Sequence, residues 1–203
     1  MSITDGYNSS VTSLEVSSAA ASDPVTTAEA KTHMRVDTSD DDTYIAGLIS
    51  AATQYAQDRT NRQFINATFK LRLDGFLAAQ LWLPRGPLSS ITSIQYVDQD
   101  DATQTLAGSK YKVDTASMPG RVVRADGQSW PSTTPNPQSV IITYVSGYGS
   151  STSDVPEGIR LAIRMLTAHW YEAREPVIVG SIVAKVPNSV DALLMQYRIP
   201  DYR

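Results

Sequence analysis

The chain has 203 residues, 17 Lys and Arg against 21 Asp and Glu, a formal charge of −4 and no cysteine. That length suits one domain, or a small core with an inserted module, and argues against a second catalytic domain. The charge offers no basic footprint for gripping nucleic acid, and the missing thiols exclude disulfides, thiolate chemistry and cysteine zinc sites, as suits a protein made in a reducing cytoplasm. No apolar run approaches the roughly 20 residues of a membrane span, and the N-terminus lacks the basic-then-apolar order of a signal peptide.

In chain order, residues 1–23 are rich in Ser, Thr and Ala and poor in large apolar side chains. Such a composition cannot build its own core and predicts an N-terminal arm held in place by a neighbouring chain. Thr26 and Glu29 then form a capping box after Pro24, opening a short helix that fades near Met34. The acidic run Asp37, Asp40, Asp41, Asp42 invites a calcium-loop reading. The glycine expected at the sixth place is Asp42, however, and the acid expected at the twelfth is Leu48, so Ser39 or Asp40 reads better as the cap of a second helix. Its stripe of Tyr44, Ile45, Leu48, Ile49, Ala52, Tyr55 and Ala56 runs to about Asn61.

Between Ile65 and Tyr148 the period changes to two. Phe69, Leu71 and Leu73, then Leu81 and Leu83, Ile94 and Tyr96, Tyr111 and Val113, and Val140, Ile142 and Tyr144 alternate with polar residues and are separated by Gly, Pro and Asp turns. Roughly six short antiparallel strands in a small sandwich or barrel are expected, inserted between two long helices. Ser146 to Ser150 reads as a hinge from strand to helix, since it lacks the lysine of a phosphate loop and the geometry of a nucleophile elbow.

The segment from Asp154 to Pro176 has a start, a period and a stop. Asp154 with Glu157 suggests a capping box, Pro156 suits a first turn, and Pro176 ends the pattern. Ile159, Ala162, Ile163, Leu166, Trp170 and Ala173 form one apolar face, with Leu161, Met165 and Ala168 partly behind it. Two apolar sides predict that one packs inside the subunit and the other against a second copy. Beyond lie Val177, Ile178 and Val179, then Gly180-Ser181, then Ile182, Val183 and Ala184, in the order of a type II′ hairpin. A last helix from Asn188 carries Val190, Leu193, Leu194 and Tyr197. At about nine residues it falls below the roughly 12–15 needed for marginal stability alone. Residues 177–203 are therefore expected to be a docking arm, against the competing reading that they fold back and complete the subunit's own core. The candidate assembly interface is Leu161, Met165, Trp170, Val177, Ile178, Val179, Ile182, Val183, Leu193, Leu194, Tyr197 and Arg198.

The fold class expected is α+β: an antiparallel helical hairpin or bundle (24–64 with 150–176), an inserted antiparallel β domain (65–149), an N-terminal arm (1–23) and a C-terminal arm (177–203). Chemistry is sparse. The two histidines, His33 and His169, have no nucleophile or carboxylate partner at motif spacing, and His169 beside Trp170 reads as a satisfied packing residue. Asp98, Asp100 and Asp101 read as a solvated hairpin tip. No catalytic residue, cofactor or metal site is assigned.

Four blocks carry a family resemblance: DPVTTAEAKTHMRVDTSDDDTYIAGLISAATQYAQDRTNRQ, LPRGPLSSITSIQYVDQDD, VPEGIRLAIRMLTAHWYEAREPV and PNSVDALLMQYR. In this order, over about residues 24–198, they resemble the phage head-tail connector (adaptor) family. Asn61 departs from a common Gly, Asn188-Ser189 from a common Phe-Gly, and the first twenty or so residues have no counterpart. The resemblance implies a structural neck protein of a tailed phage or a phage-derived particle such as a gene transfer agent. It further implies a ring, twelvefold in the family, beneath the portal protein, extending the DNA channel without specific DNA binding and docking the next neck or tail component. A different class, a carbohydrate-binding tail module, would need Trp82, Trp130 and Tyr148 exposed together.

Overall fold

The computed structural model describes residues 11–173 and 187–200. The first helix, α1 (Thr27–Met34), starts as its local sequence dictates. The Thr26 hydroxyl accepts from the Glu29 amide at 3.2 Å, and the Glu29 carboxylate accepts from the Thr26 amide at 2.8 Å. The second, α2 (Asp42–Thr60), begins slightly later than expected, at Asp41, which makes no capping bond. Asp41 instead accepts from the Tyr171 hydroxyl at 2.6 Å, and Asp42 pairs with Lys31 at 2.6 Å. The acidic run thus fastens the start of α2 to its neighbours. Asn61 ends the helix at φ 55°, a left-handed position that Asn tolerates.

The third helix, α3 (Glu157–Glu172), starts three residues after the expected cap. A residue before proline is pushed out of the helical region, and Val155 is accordingly extended at φ −82°, ψ 130°. Asp154 instead closes a single 3-10 turn, Thr152–Asp154, by accepting from the Ser151 amide at 2.9 Å. Glu157 pairs with Arg160 and Arg164 rather than completing a box.

The fourth helix, α4 (Asn188–Met195), closes the bundle. Ile45, Ile49, Ala52 and Ala56 of α2 meet Ile159, Ile163 and Leu166 of α3 and Val190 and Leu194 of α4 in one cluster. For residues 187–200 this corrects the docking-arm expectation. Val190 and Leu194 are 0% exposed, Asp191 pairs with Arg59 at 2.9 Å, and the Ile199 amide donates to the Thr60 carbonyl at 2.9 Å. The apolar face of α4 covers this subunit's own core because Val190 and Leu194 find apolar partners on both α2 and α3. The hairpin expected over 177–184 and the helix stop at Pro176 lie outside the described residues.

Strands β1 (Val11–Ser18), β2 (Ala67–Leu73), β3 (Gln80–Leu83), β4 (Leu88–Val97), β5 (Thr103–Thr105), β6 (Tyr111–Asp114), β7 (Gly120–Arg124) and β8 (Val140–Ser146) form two antiparallel sheets, ordered β1-β2-β8-β4-β5 and β3-β7-β6. The inserted region thus packs as a sandwich and not as a closed barrel. Burial alternates strictly along β2 and β8, and their inward residues Phe69, Leu71, Ile142 and Tyr144 share a second core with Leu81, Leu83 and Val122 of the smaller sheet. Tyr144 is fully buried, stacks on Phe69 with centroids 5.6 Å apart and donates to the Pro84 carbonyl at 2.9 Å. Burial pushes its hydroxyl far above the usual tyrosine range.

The N-terminal segment departs from expectation. Val11–Ser18 pairs antiparallel with β2, and Arg72–Glu15 and Thr12–Asp74 tie the two strands together at 3.0 and 2.8 Å. What holds this stretch is its own sheet. At the joint between the cores, the Tyr148 amide donates to Phe64 and the Asn66 amide to Gly149, both at 2.8 Å. Gly147 adopts φ +144°, and a Cβ there would stand 2.6 Å from the Asn66 backbone, so this position of the hinge requires glycine.

Candidate functional site

His33 is exposed on α1. His169 lies on α3 as a packing residue, but its Nε2 is sealed from solvent and closes no hydrogen bond, where a satisfied histidine was expected. No group of three or more His, Cys, Asp or Glu able to hold a metal occurs among the described residues. At the hairpin tip, Asp98 accepts from the amides of Asp100 and Ala102 and from the Gln104 side chain, at 2.8–3.0 Å. The Gln104 amide and the Ala102 N–H hold its carboxyl below the usual range. The aspartate is committed to shaping a turn.

The three aromatics of the carbohydrate reading do not converge. Trp130 stacks on Phe76 at 4.9 Å within the sheet core and donates to the Ala78 carbonyl at 2.8 Å. Tyr148 packs against the helical core with Arg62 5.9 Å over its ring. Trp82 projects from β3 beneath Arg121, 5.0 Å from its centroid.

The interface residues fall into three groups. Leu161, Met165, Trp170, Leu193 and Tyr197 are half-buried and Arg198 is exposed, so these retain surface that another chain can cover. Trp170 already meets Tyr55 edge-on at 6.4 Å, and Tyr197 lies close over Gly158. Leu194 is enclosed by its own subunit and is withdrawn from the interface. Val177, Ile178, Val179, Ile182 and Val183 lie outside the described residues.

Sequence reasoning missed two features. Arg160 is a hub between α1 and α3, reaching Glu29, Glu157 and the Pro24 carbonyl. Burial works to raise the Glu29 carboxyl, but the Thr26 amide and hydroxyl, with Arg160, outweigh it and hold it below its usual range. Glu29 announced its cap, but nothing in the sequence announced a partner 131 residues away.

The second is a groove of about 400 Å³ where β1 and the linker after it cross α2. Small residues, Ala19 to Ser22 and Ala67, line it, and Asp23 is its only charged side chain among the described residues. Desolvation holds the half-buried Asp23 carboxyl above its usual range, an effect that the nearby Thr53 hydroxyl only partly offsets. Thr53 is 4% exposed, and its Oγ1 closes no hydrogen bond of proper geometry.

Residues 25–199 match the head completion protein family. No curated protein matches the sequence. Among solved structures, the chain is similar to one from the neck of an empty gene transfer agent (GTA) particle computed with C6 symmetry, at 23% identity and TM-score 0.77, over 94% of this chain and 97% of that one. A chain from the virion of the native GTA particle gives 24% and 0.76, and one from the native neck computed with C12 symmetry gives 23% and 0.74, each with the same coverage. At these identities the likeness is one of fold.

Proposed function

The chain belongs to the head completion protein family, and from that premise we propose that it is a structural head-tail connector in the neck of a tailed phage or of a phage-derived particle such as a gene transfer agent. The observation that carries this reading is the family match over residues 25–199, which takes in the helical core, the sandwich apart from β1, and α4 alike. Copies assemble into a ring beneath the portal protein and extend the DNA channel. The other end of the ring receives the next neck or tail component.

The work is mechanical. Two cores joined by main-chain hydrogen bonds present fixed surfaces, and the half-buried apolar residues Leu161, Met165, Trp170 and Leu193, with Tyr197 and Arg198, form the subunit's contact set. The stretch Val177 to Val183 completes it as a docking segment. No residue is assigned a catalytic role, and duplex DNA passes without specific binding because a −4 chain repeated around a ring repels phosphate.

Deleting the gene from the producing phage or particle tests this. Filled heads lacking tails, restored by supplying the chain in trans, are the expected result. Normally tailed, infectious particles from the deletion would refute it.

A further inference from the structure

We propose that the outer edge of β1 and the Asp23 groove together receive an extended segment of a second copy of this chain, the stretch Val177–Lys185, with a basic side chain entering the groove. The inference rests on the ring reading above and names the contact between neighbouring subunits.

Three observations carry it. First, β1 is the outermost strand of its sheet and eight residues long, so among the described residues one side of its main chain has no strand beside it. It has neither the proline nor the lysine that commonly protects such edges, its one charge, Glu15, is paired with Arg72, and Val11 and Val16 are 44% and 58% exposed. Its pairing to β2 is regular from Ser13 to Val16 and shifts after Val16, where the chain turns into the groove. Second, the groove continues this edge, with Val16 at its mouth. Among the described residues its only charge is the Asp23 carboxylate, and the Thr53 hydroxyl beside it makes no hydrogen bond of proper geometry. An incoming ammonium or guanidinium would meet a carboxylate already stripped of much of its water, where a charge-assisted bond gains most.

Third, this chain contains a segment of matching chemistry. Val177 to Lys185 reads VIVGSIVAK, rich in β-branched residues and ending in the basic Lys185. Lys185 therefore stands at one end of the added strand, three residues from Ile182. In this pairing the stretch runs on through Gly180-Ser181 in place of the hairpin expected from sequence, and nine extended residues reach about 30 Å, enough for the length of β1 and the mouth of the groove. Strand addition supplies main-chain hydrogen bonds, and the groove supplies selectivity.

The chain has no cysteine, so engineered cysteines give unambiguous cross-links. Full-length Val16→Cys and Ile182→Cys copies with tags of different size are mixed and oxidised, with Met195→Cys, exposed on α4, in place of Ile182→Cys as the control. Disulfide heterodimers are expected from the first pair and not from the control, with Asp23→Asn lowering their yield about tenfold and Asp23→Glu restoring it. Rings seen by sedimentation without the cross-link, an unchanged yield with Asp23→Asn, or a disulfide formed only within one chain of the double variant would each overturn the inference and leave the ring intact. Failure of the copies to associate at all, in solution and in the particle, would overturn the ring and the inference together.

Discussion

Leu194→Ala tests whether α4 is core or arm. Leu194 is 0% exposed and sits among Ile45, Ile49, Ile159 and Ile163, so removing its branched end leaves a void in the centre of the bundle. Buried Leu→Ala changes cost about 2–5 kcal/mol, against a total of roughly 5–15 for an ordinary domain. At about 2–4 °C per kcal/mol for a chain of this size, the midpoint of thermal unfolding should fall by roughly 4–20 °C. The neighbouring Met195 is 45% exposed, and Met195→Ala should stay within about 0.5 kcal/mol of the parent. Melts followed by circular dichroism, repeated in urea, measure both. Equal midpoints for the two variants would refute the packing of α4 on α2 and α3 and return the helix to the docking surface.

Three further outcomes are expected. Gly147→Ala should cost at least about 1–3 kcal/mol, because the new Cβ meets the Asn66 backbone at 2.6 Å and φ +144° strains any side chain; a parent-like melt would contradict the hinge geometry. The Ser117 hydroxyl and amide and Arg121 hold the Asp114 carboxyl at about 2 in the folded chain, below its usual 3.8, so its stabilising contribution is complete above pH about 4 and fades as pH falls toward 2. A carboxyl NMR titration centred near 4 would disprove that bonding. In a low-salt gel shift the chain should leave duplex DNA unretarded, and salt-sensitive sub-micromolar binding would count against the passive channel.

How much the sequence disclosed depends on how local each cause is. The Thr26–Glu29 capping box and the alternation along β2 and β8 were legible because signal and structure share the same few residues. The start of α3 misled because Asp154 and Glu157 satisfy a capping pattern that Pro156 vetoes through the backbone of Val155. β1 was illegible: VTSLEVSS looks like linker composition and becomes a strand only through β2, Arg72 and Asp74. β5 is exposed throughout, and β7 alternates in burial but not in sequence, since GRVVR sets two valines side by side, so neither was legible. For α4 the helix was visible but its destination was not, since an apolar face does not say whose core it covers. The interface residues share that ambiguity, and the Asp23 groove is assembled from three separated segments that no local pattern connects.

The placement of residues 187–200 bears on how the two cores hold their angle. The Ile199 amide donates to Thr60 at 2.9 Å, Asn61 donates to the Ile199 carbonyl at 3.1 Å, and Arg62 donates to the Tyr197 carbonyl. On the sheet side the Ile199 side chain touches Gly86, where a Cβ would lie 3.2 Å from its Cδ1, and Arg62 also reaches the Met118 sulfur at 3.6 Å. Tyr197 packs over Gly158, where a Cβ would stand 2.7 Å from the phenol oxygen. The segment is a strap across both cores, so a chain ending at Arg174 loses more than a docking segment. Val190 and Leu194 leave the bundle, and burial of two such side chains is worth about 3–6 kcal/mol, comparable with the lower end of a domain's total stability. The truncated chain is expected to melt non-cooperatively and bind a hydrophobic dye at room temperature. A sharp, parent-like transition would show that the strap is dispensable and that helices and sandwich hold their angle through the Phe64–Tyr148 and Asn66–Gly149 bonds alone.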